Sequence, residues 1–171
     1  MKKRFYGVWN LVAYEQYVGG QLAMSYGEKP AALLIYAPPN TVAVQIMANG
    51  RMSSSVLFGA ANELNKPLQI TEPMLRYAQG TAEEAVNAYR SYVAYYGTFA
   101  VREGTDEVVH TVIGSLLPNL VLAGVSKELP RKFAFKHRGK TLVLQEHTDI
   151  LGDGRLFCDG KWTWRLGRKI S

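Results

Sequence analysis

A chain of 171 residues with 47% hydrophobic and 20% charged residues has the make-up of an ordinary globular protein, in which folding buries roughly two-thirds of the unfolded surface. That composition excludes a disordered chain, and no apolar run approaches the roughly 20 residues that a membrane-spanning helix needs. A net charge of +6 would suit an anionic partner, but the basic residues are scattered and no nucleic-acid motif accompanies them. Neither nucleic acid nor an integral membrane association is therefore expected.

The start, Met1-Lys2-Lys3-Arg4, is followed by neither an apolar core nor a small-residue cleavage site, so it does not read as a signal peptide. The single cysteine, Cys158, permits no internal disulfide. Both features fit a cytoplasmic protein. One domain over residues 1–171 is the expectation, with self-association left open.

Strand signals dominate, because short runs rich in Val, Ile, Tyr, Phe and Thr recur between Gly, Pro, Asn and Asp clusters. The first expected strand is Phe5 to Glu15. Ala31 to Tyr36 and Thr41 to Ala48 follow, joined by Ala37-Pro38-Pro39-Asn40, whose prolines cannot sit in a central strand and so mark a hairpin turn. The stretch 49–80 is long and weakly patterned, which reads equally as a lid, a binding loop or a passive surface loop. A helix is predicted over 81–93: Thr81 and Glu84 form a capping box, and Val86, Tyr89 and Val93 with Ala82 and Ala85 make an apolar stripe.

Two hairpins follow, Tyr95 to Arg102 with Glu107 to Ser115 and Arg131 to His137 with Lys140 to Thr148. The loop from Gly114 to Gly124 brings Ser115 and Asn119 toward one end of the strands. After Leu151-Gly152-Asp153-Gly154 a last strand runs from Leu156 to Leu166. About eight strands joined mostly by tight turns predict an all-β protein, a single antiparallel up-and-down barrel with one helix.

Gly7-Val8-Trp9 opens the first strand and Trp164-Arg165-Leu166 lies in the last, which are neighbours in a closed barrel. An arginine there can lie over the indole face, a contact worth about 0.5–2 kcal/mol, and close one end. This Gly-x-Trp arrangement resembles that of lipocalins. The remainder is similar to the bacterial and fungal lipocalin-like domain family, in Leu33-Leu34-Ile35-Tyr36, Tyr95-Tyr96-Gly97-Thr98-Phe99, His110, Gly114-Ser115-Leu116-Leu117-Pro118-Asn119, Arg131-Lys132-Phe133 and Trp164-Arg165. The resemblance implies a calycin-like barrel, with Trp9 and Arg165 at its closed end and a ligand often unknown. It also implies an association of some members with secondary metabolism. The stretch 50–80 departs from that pattern in being long and apolar.

A tight turn fixes strand register, and side chains alternate between faces. A turn at Arg138-Gly139 sets Phe135 opposite Leu142, Phe133 opposite Leu144 and Arg131 opposite Glu146, all on one face, while Lys132, Lys136, Thr141 and Gln145 take the other. The first set should point inward, placing an arginine and a glutamate together at one end of an apolar cavity. Such a pair either anchors a polar ligand group or is a structural ion pair at the rim.

A turn centred between Gly104 and Thr105 pairs His110 with Phe99 on a face shared with Val101, Val108 and Val112. His110 is then either a proton-transfer group or a hydrogen-bonded core residue. Asn119, after Pro118, is a turn residue or a ligand contact. His147 should point outward and His137 sits at a turn, so no metal shell forms, and no cofactor is expected. Tyr36, Tyr95 and Tyr96 are candidate inward phenols, of which one of the adjacent pair must face out.

The leading reading is a barrel that binds a hydrophobic small molecule with a polar or anionic end. Its apolar walls would be Phe99, Phe133, Phe135, Leu142 and Leu144, and its orienting groups Arg131, Glu146, His110 and Asn119. The competing reading is a cofactor-independent cyclase or isomerase in which His110 or Glu146 moves a proton. A third is a barrel filled by its own side chains that works through an interface.

Overall fold

The computed structural model describes residues 1–25, 30–48, 82–122, 125–149 and 157–169. The stretch 49–80, Thr81 of the capping box and the turn at 151–154 lie outside the described residues. Contacts divide the chain into two compact units, Met1–Asn49 with Val93–Ser171, and Gly50–Tyr92.

The first unit is an antiparallel barrel. Its strands are β1 (Gly7–Val18), β2 (Gln21–Ser25), β3 (Ala31–Ala37), β4 (Thr41–Met47), β5 (which starts at Tyr92 and ends at Val101), β6 (Glu107–Ser115), β9 (Glu128–Lys136), β10 (Thr141–Asp149) and β11 (Phe157–Arg168), with a minor pair β7 (Val121–Leu122) and β8 (Val125–Ser126). Hydrogen bonding runs in the order β11-β10-β9-β6-β5-β4-β3-β1-β2, and β11 also pairs with β1. Among the described residues, eight of these strands therefore close on themselves, and β2 folds back along the far end of β1. The all-β barrel expected from turn spacing is the observed fold.

Closure rests on a long ladder from Val8 opposite Arg168 to Val18 opposite Cys158. Gly7, Trp9 and Leu11 are buried, but a register shift between Leu11 and Ala13 lets Tyr14 take the next inward place. The extra residue of a β-bulge accounts for this change of phase. A second hairpin escaped the sequence reading: Gly19-Gly20, both at positive φ (55° and 81°), joins β1 to β2 with Val18 opposite Gln21, the two-residue turn that such backbone angles favour.

Phe5 was expected inside the first strand. Instead Lys2–Arg4 form one 3-10 turn, with Phe5 N–H donating to the Lys2 carbonyl at 3.0 Å, and the Phe5 ring enters the closed end. It meets the rings of Tyr36, Phe99, Phe133 and Phe135 at centroid distances of 4.9–5.9 Å. The Trp9 indole N–H donates to the Phe5 carbonyl at 2.7 Å. Arg165 does not lie over the indole: Trp9 pairs with Leu166, so Arg165 falls on the opposite pleat, exposed beside Asn10. The cations at this end are Arg4, 4.4 Å from the Phe135 centroid, and Lys2, 5.4 Å from that of Phe99.

In the second unit α1 spans Ala82–Arg90, and the Ser91 hydroxyl donates to the Asn87 carbonyl at 2.6 Å at its end. Val93 lies in β5, and Val86 and Tyr89 are exposed. The helix expected over 81–93 thus ends at Arg90, because the β-rich run Tyr92-Val93 starts the strand.

Gly7 explains the Gly-x-Trp triplet in steric terms. A methyl group there would lie 2.7 Å from Leu166 Cδ1 and 2.8 Å from the Arg168 carbonyl oxygen, contacts that require the closing strand to move. Gly7→Ala should lower stability by about 1–3 kcal/mol, read as a lower urea midpoint. An unchanged midpoint would show that closure does not depend on this close approach.

Candidate functional site

The hairpin registers expected from turn position are present. Leu142 faces Phe135 and Leu144 faces Phe133 across β9 and β10, and Phe99 faces His110 across β5 and β6. Arg131 and Glu146 continue the first ladder by one inward position and meet as an ion pair, Nη2 to Oε2 at 3.5 Å.

These strands bring together a chain of polar groups inside the barrel. His110 is fully buried. Its Nε2 lies 2.6 Å from the Tyr36 hydroxyl oxygen and its Nδ1 lies 2.9 Å from that of Tyr95. Arg131, 7% exposed, sets Nη1 3.3 Å from His110 Nδ1 and 3.4 Å from the Leu129 carbonyl. Its guanidinium also lies over the rings of Trp162 and Tyr95, at 5.2 and 6.0 Å. Gly160 makes room beside Glu146: a Cβ there would sit 3.1 Å from Glu146 Cγ and 2.8 Å from the Trp162 ring.

Burial first, and then the Arg131 charge, push the His110 pKa well below its ordinary value, so the imidazole is neutral at pH 7. A neutral imidazole has one N–H, and Arg131 decides which nitrogen carries it. A guanidinium can only donate, so Nδ1, facing Arg131, must be the bare acceptor. Tyr95 donates its proton to Nδ1, and Nε2–H donates to the Tyr36 oxygen. Both phenols are held in the neutral form, chiefly by burial, which raises their pKa values.

Other expected residues are placed differently. Phe99, Phe133 and Phe135 pack on Phe5 in the closed-end cluster, because the entering Phe5 ring occupies the space they would have left. Leu142 and Leu144 belong to the buried core with Trp162 and Trp164. Asn119 is exposed in a 3-10 turn, Pro118–Leu120, and Ser115 Oγ accepts from the Leu117 N–H at 2.9 Å; neither joins the polar chain. His147 is exposed and pairs with Asp159 at 2.6 Å. Tyr96 faces out, 57% exposed.

Tyr95 was legible as inward from its alternation with Phe99. Tyr36 reaches His110 across 74 residues of chain, which no local pattern marks. A recess of about 290 Å³ borders Tyr95, lined also by Val44, Tyr96, Gly114 and Leu116. Among the described residues no group of three or more potential ligands could hold a metal ion, and no helix is long and apolar enough to cross a membrane.

The neutral histidine carries a pH signature. In the unfolded chain it titrates near 6.5, whereas the folded value is lower, so acidification protonates the unfolded state first. The stability that depends on neutral His110 is complete above about pH 6.5 and falls below it by up to about 1.4 kcal/mol per pH unit. In urea unfolding at pH 7.5 and 5.5, the parent should lose roughly 1 kcal/mol more than His110→Gln. Identical losses would contradict a neutral buried imidazole.

A family model described as a lipocalin-like domain matches residues 6–166, nearly the whole chain. No curated protein sequence matches it. With the barrel closed through Gly7 and Trp9, and with that match over almost its full length, the chain belongs to the lipocalin-like domain family.

Proposed function

We propose that the barrel binds a hydrophobic small molecule whose polar or anionic end meets Arg131. One observation carries this reading. Arg131 is buried, yet its contacts to His110, Leu129 and Glu146 lie at 3.3–3.5 Å, whereas charge-assisted N–H···O bonds settle at about 2.7–2.9 Å. A buried cation held this loosely has unused donor capacity. The partner that uses it is an oxygen brought in by a ligand, with Glu146 turning aside toward the solvent that reaches 29% of its side chain.

The setting supports the reading. Trp162 and Tyr95 flank the guanidinium with apolar ring faces. The walls nearest the head group are then Trp162, Leu144 and Tyr14 rather than the phenylalanines of the closed end. A reducing cytoplasm suits the lone thiol of Cys158.

A second reading, a cofactor-independent isomerase or cyclase, draws on the same chain of groups. Both nitrogens of His110 are engaged by phenols, so His110 acts on a ligand only through Tyr36 or Tyr95, while Glu146, paired with Arg131 and partly exposed, acts directly.

The probe 1-anilinonaphthalene-8-sulfonate, an apolar body with an anionic end, tests the first reading. Arg131→Met should weaken its binding at least about tenfold, the scale of one lost charge-assisted bond. Glu146→Gln, which removes a like charge, should leave the affinity equal or higher, and Arg165→Met on the outer wall should leave it unchanged. Binding unaltered by Arg131→Met, or weakened by Glu146→Gln, would overturn the assignment of Arg131 as the anchor.

A further inference from the structure

The interior holds more hydrogen-bond donors than acceptors. Trp164, 2% exposed, lies on the inward pleat two residues beyond Trp162, and its indole N–H is buried with no partner. An indole nitrogen can only donate. Leaving it unpaired in an apolar interior is costly, and such orphans are rare in folded proteins.

Tyr36 is a second donor of the same kind. Because Arg131 fixes the His110 proton on Nε2, the Tyr36 oxygen accepts that proton's bond at 2.6 Å. Its own O–H must then point elsewhere, and no acceptor for it is found among the described residues. Arg131 adds the spare N–H groups already noted. Against these stands Glu146, the charged acceptor of the site, whose partial exposure lets its second oxygen meet water.

Resting on the reading that the barrel holds a small molecule, we propose that its ligand is an apolar ketone or quinone, with carbonyl oxygens accepting from the Trp164 indole N–H and the Tyr36 hydroxyl. Carbonyl oxygens satisfy donors and bring no proton that needs an acceptor in return. An alcohol or amine of the same skeleton would add a donor to an interior that already has too many. The preference is thus for the oxidised member of a carbonyl and alcohol pair.

Three probes on one ring system test this: fluorene, 9-fluorenone and 9-fluorenol, titrated by calorimetry into the full chain. Fluorenone should bind at least about tenfold tighter than fluorene and severalfold tighter than fluorenol. Trp164→Phe and Tyr36→Phe should each reduce the ketone preference while retaining fluorene binding. In the unmodified protein, the indole ¹H–¹⁵N signal of Trp164 should shift downfield with fluorenone and not with fluorene, whereas that of Trp9, already bonded to the Phe5 carbonyl, should not. This measurement decides the matter should either variant fail to fold.

Equal affinity for all three probes, or a preference that survives both substitutions, would overturn the ketone assignment and leave the small-molecule reading standing. So would a Trp164 signal that stays in place while fluorenone binds, the result for an N–H held by internal water. Failure of all three probes and of the sulfonate to bind would overturn both.

Discussion

The pairing of β1 with β11 is the constraint on which everything else depends. A sheet of eight strands has two open edges and two faces; joined, it has no edges and an inside. That inside is what allows a histidine, an arginine and two tyrosines from four different strands to meet. The close approach of Gly7 to Leu166 and the Arg168 carbonyl belongs to the same event, as does Trp9, whose indole ties the first strand to the 3-10 turn that precedes it.

Within the barrel the two ends have different chemistry. The closed end is aromatic and packed, with Phe5 at its centre, and is stabilised by edge-to-face contacts that also fix ring positions. The other end is polar, with His110 bonded closely between two phenols and Arg131 held more loosely. Burying an arginine is costly unless it is paired, and here the cost is offset by Glu146, by two ring faces and by a histidine that stays uncharged. Burial, reinforced by the same positive charge that needs company, keeps its neighbour neutral. One residue therefore orders the whole chain of protons from Tyr95 through His110 to Tyr36.

The fold and part of the site were legible because tight turns make pairing a matter of arithmetic. Once a turn centre is placed, Phe135 must face Leu142 and Phe99 must face His110, as they do. Arg131 and Glu146 follow from the same register. Contacts that cross the barrel have no such rule: Tyr36 meets His110 only because β3 and β6 lie on facing walls. Phe5 was misread because its place in an alternating pattern concealed a turn in the three residues before it. Arg165 was misread by one step of the pleat, enough to move it from the closed end to the outer surface. The helix was overrun because Val93 satisfies helical spacing by coincidence, though its β-branched neighbourhood favours a strand.

The bulge in β1 has a consequence for how such a barrel can change over time. Before it, odd-numbered residues face the aromatic plug; after it, Tyr14 begins an inward set of the other parity. The strand is thereby divided into two segments whose inward positions are set separately. Substitutions that reshape the polar end need not be matched by changes in the plug, so one end can diverge while the other stays the same. A one-residue irregularity thus separates the positions that close the barrel from those that line its polar end.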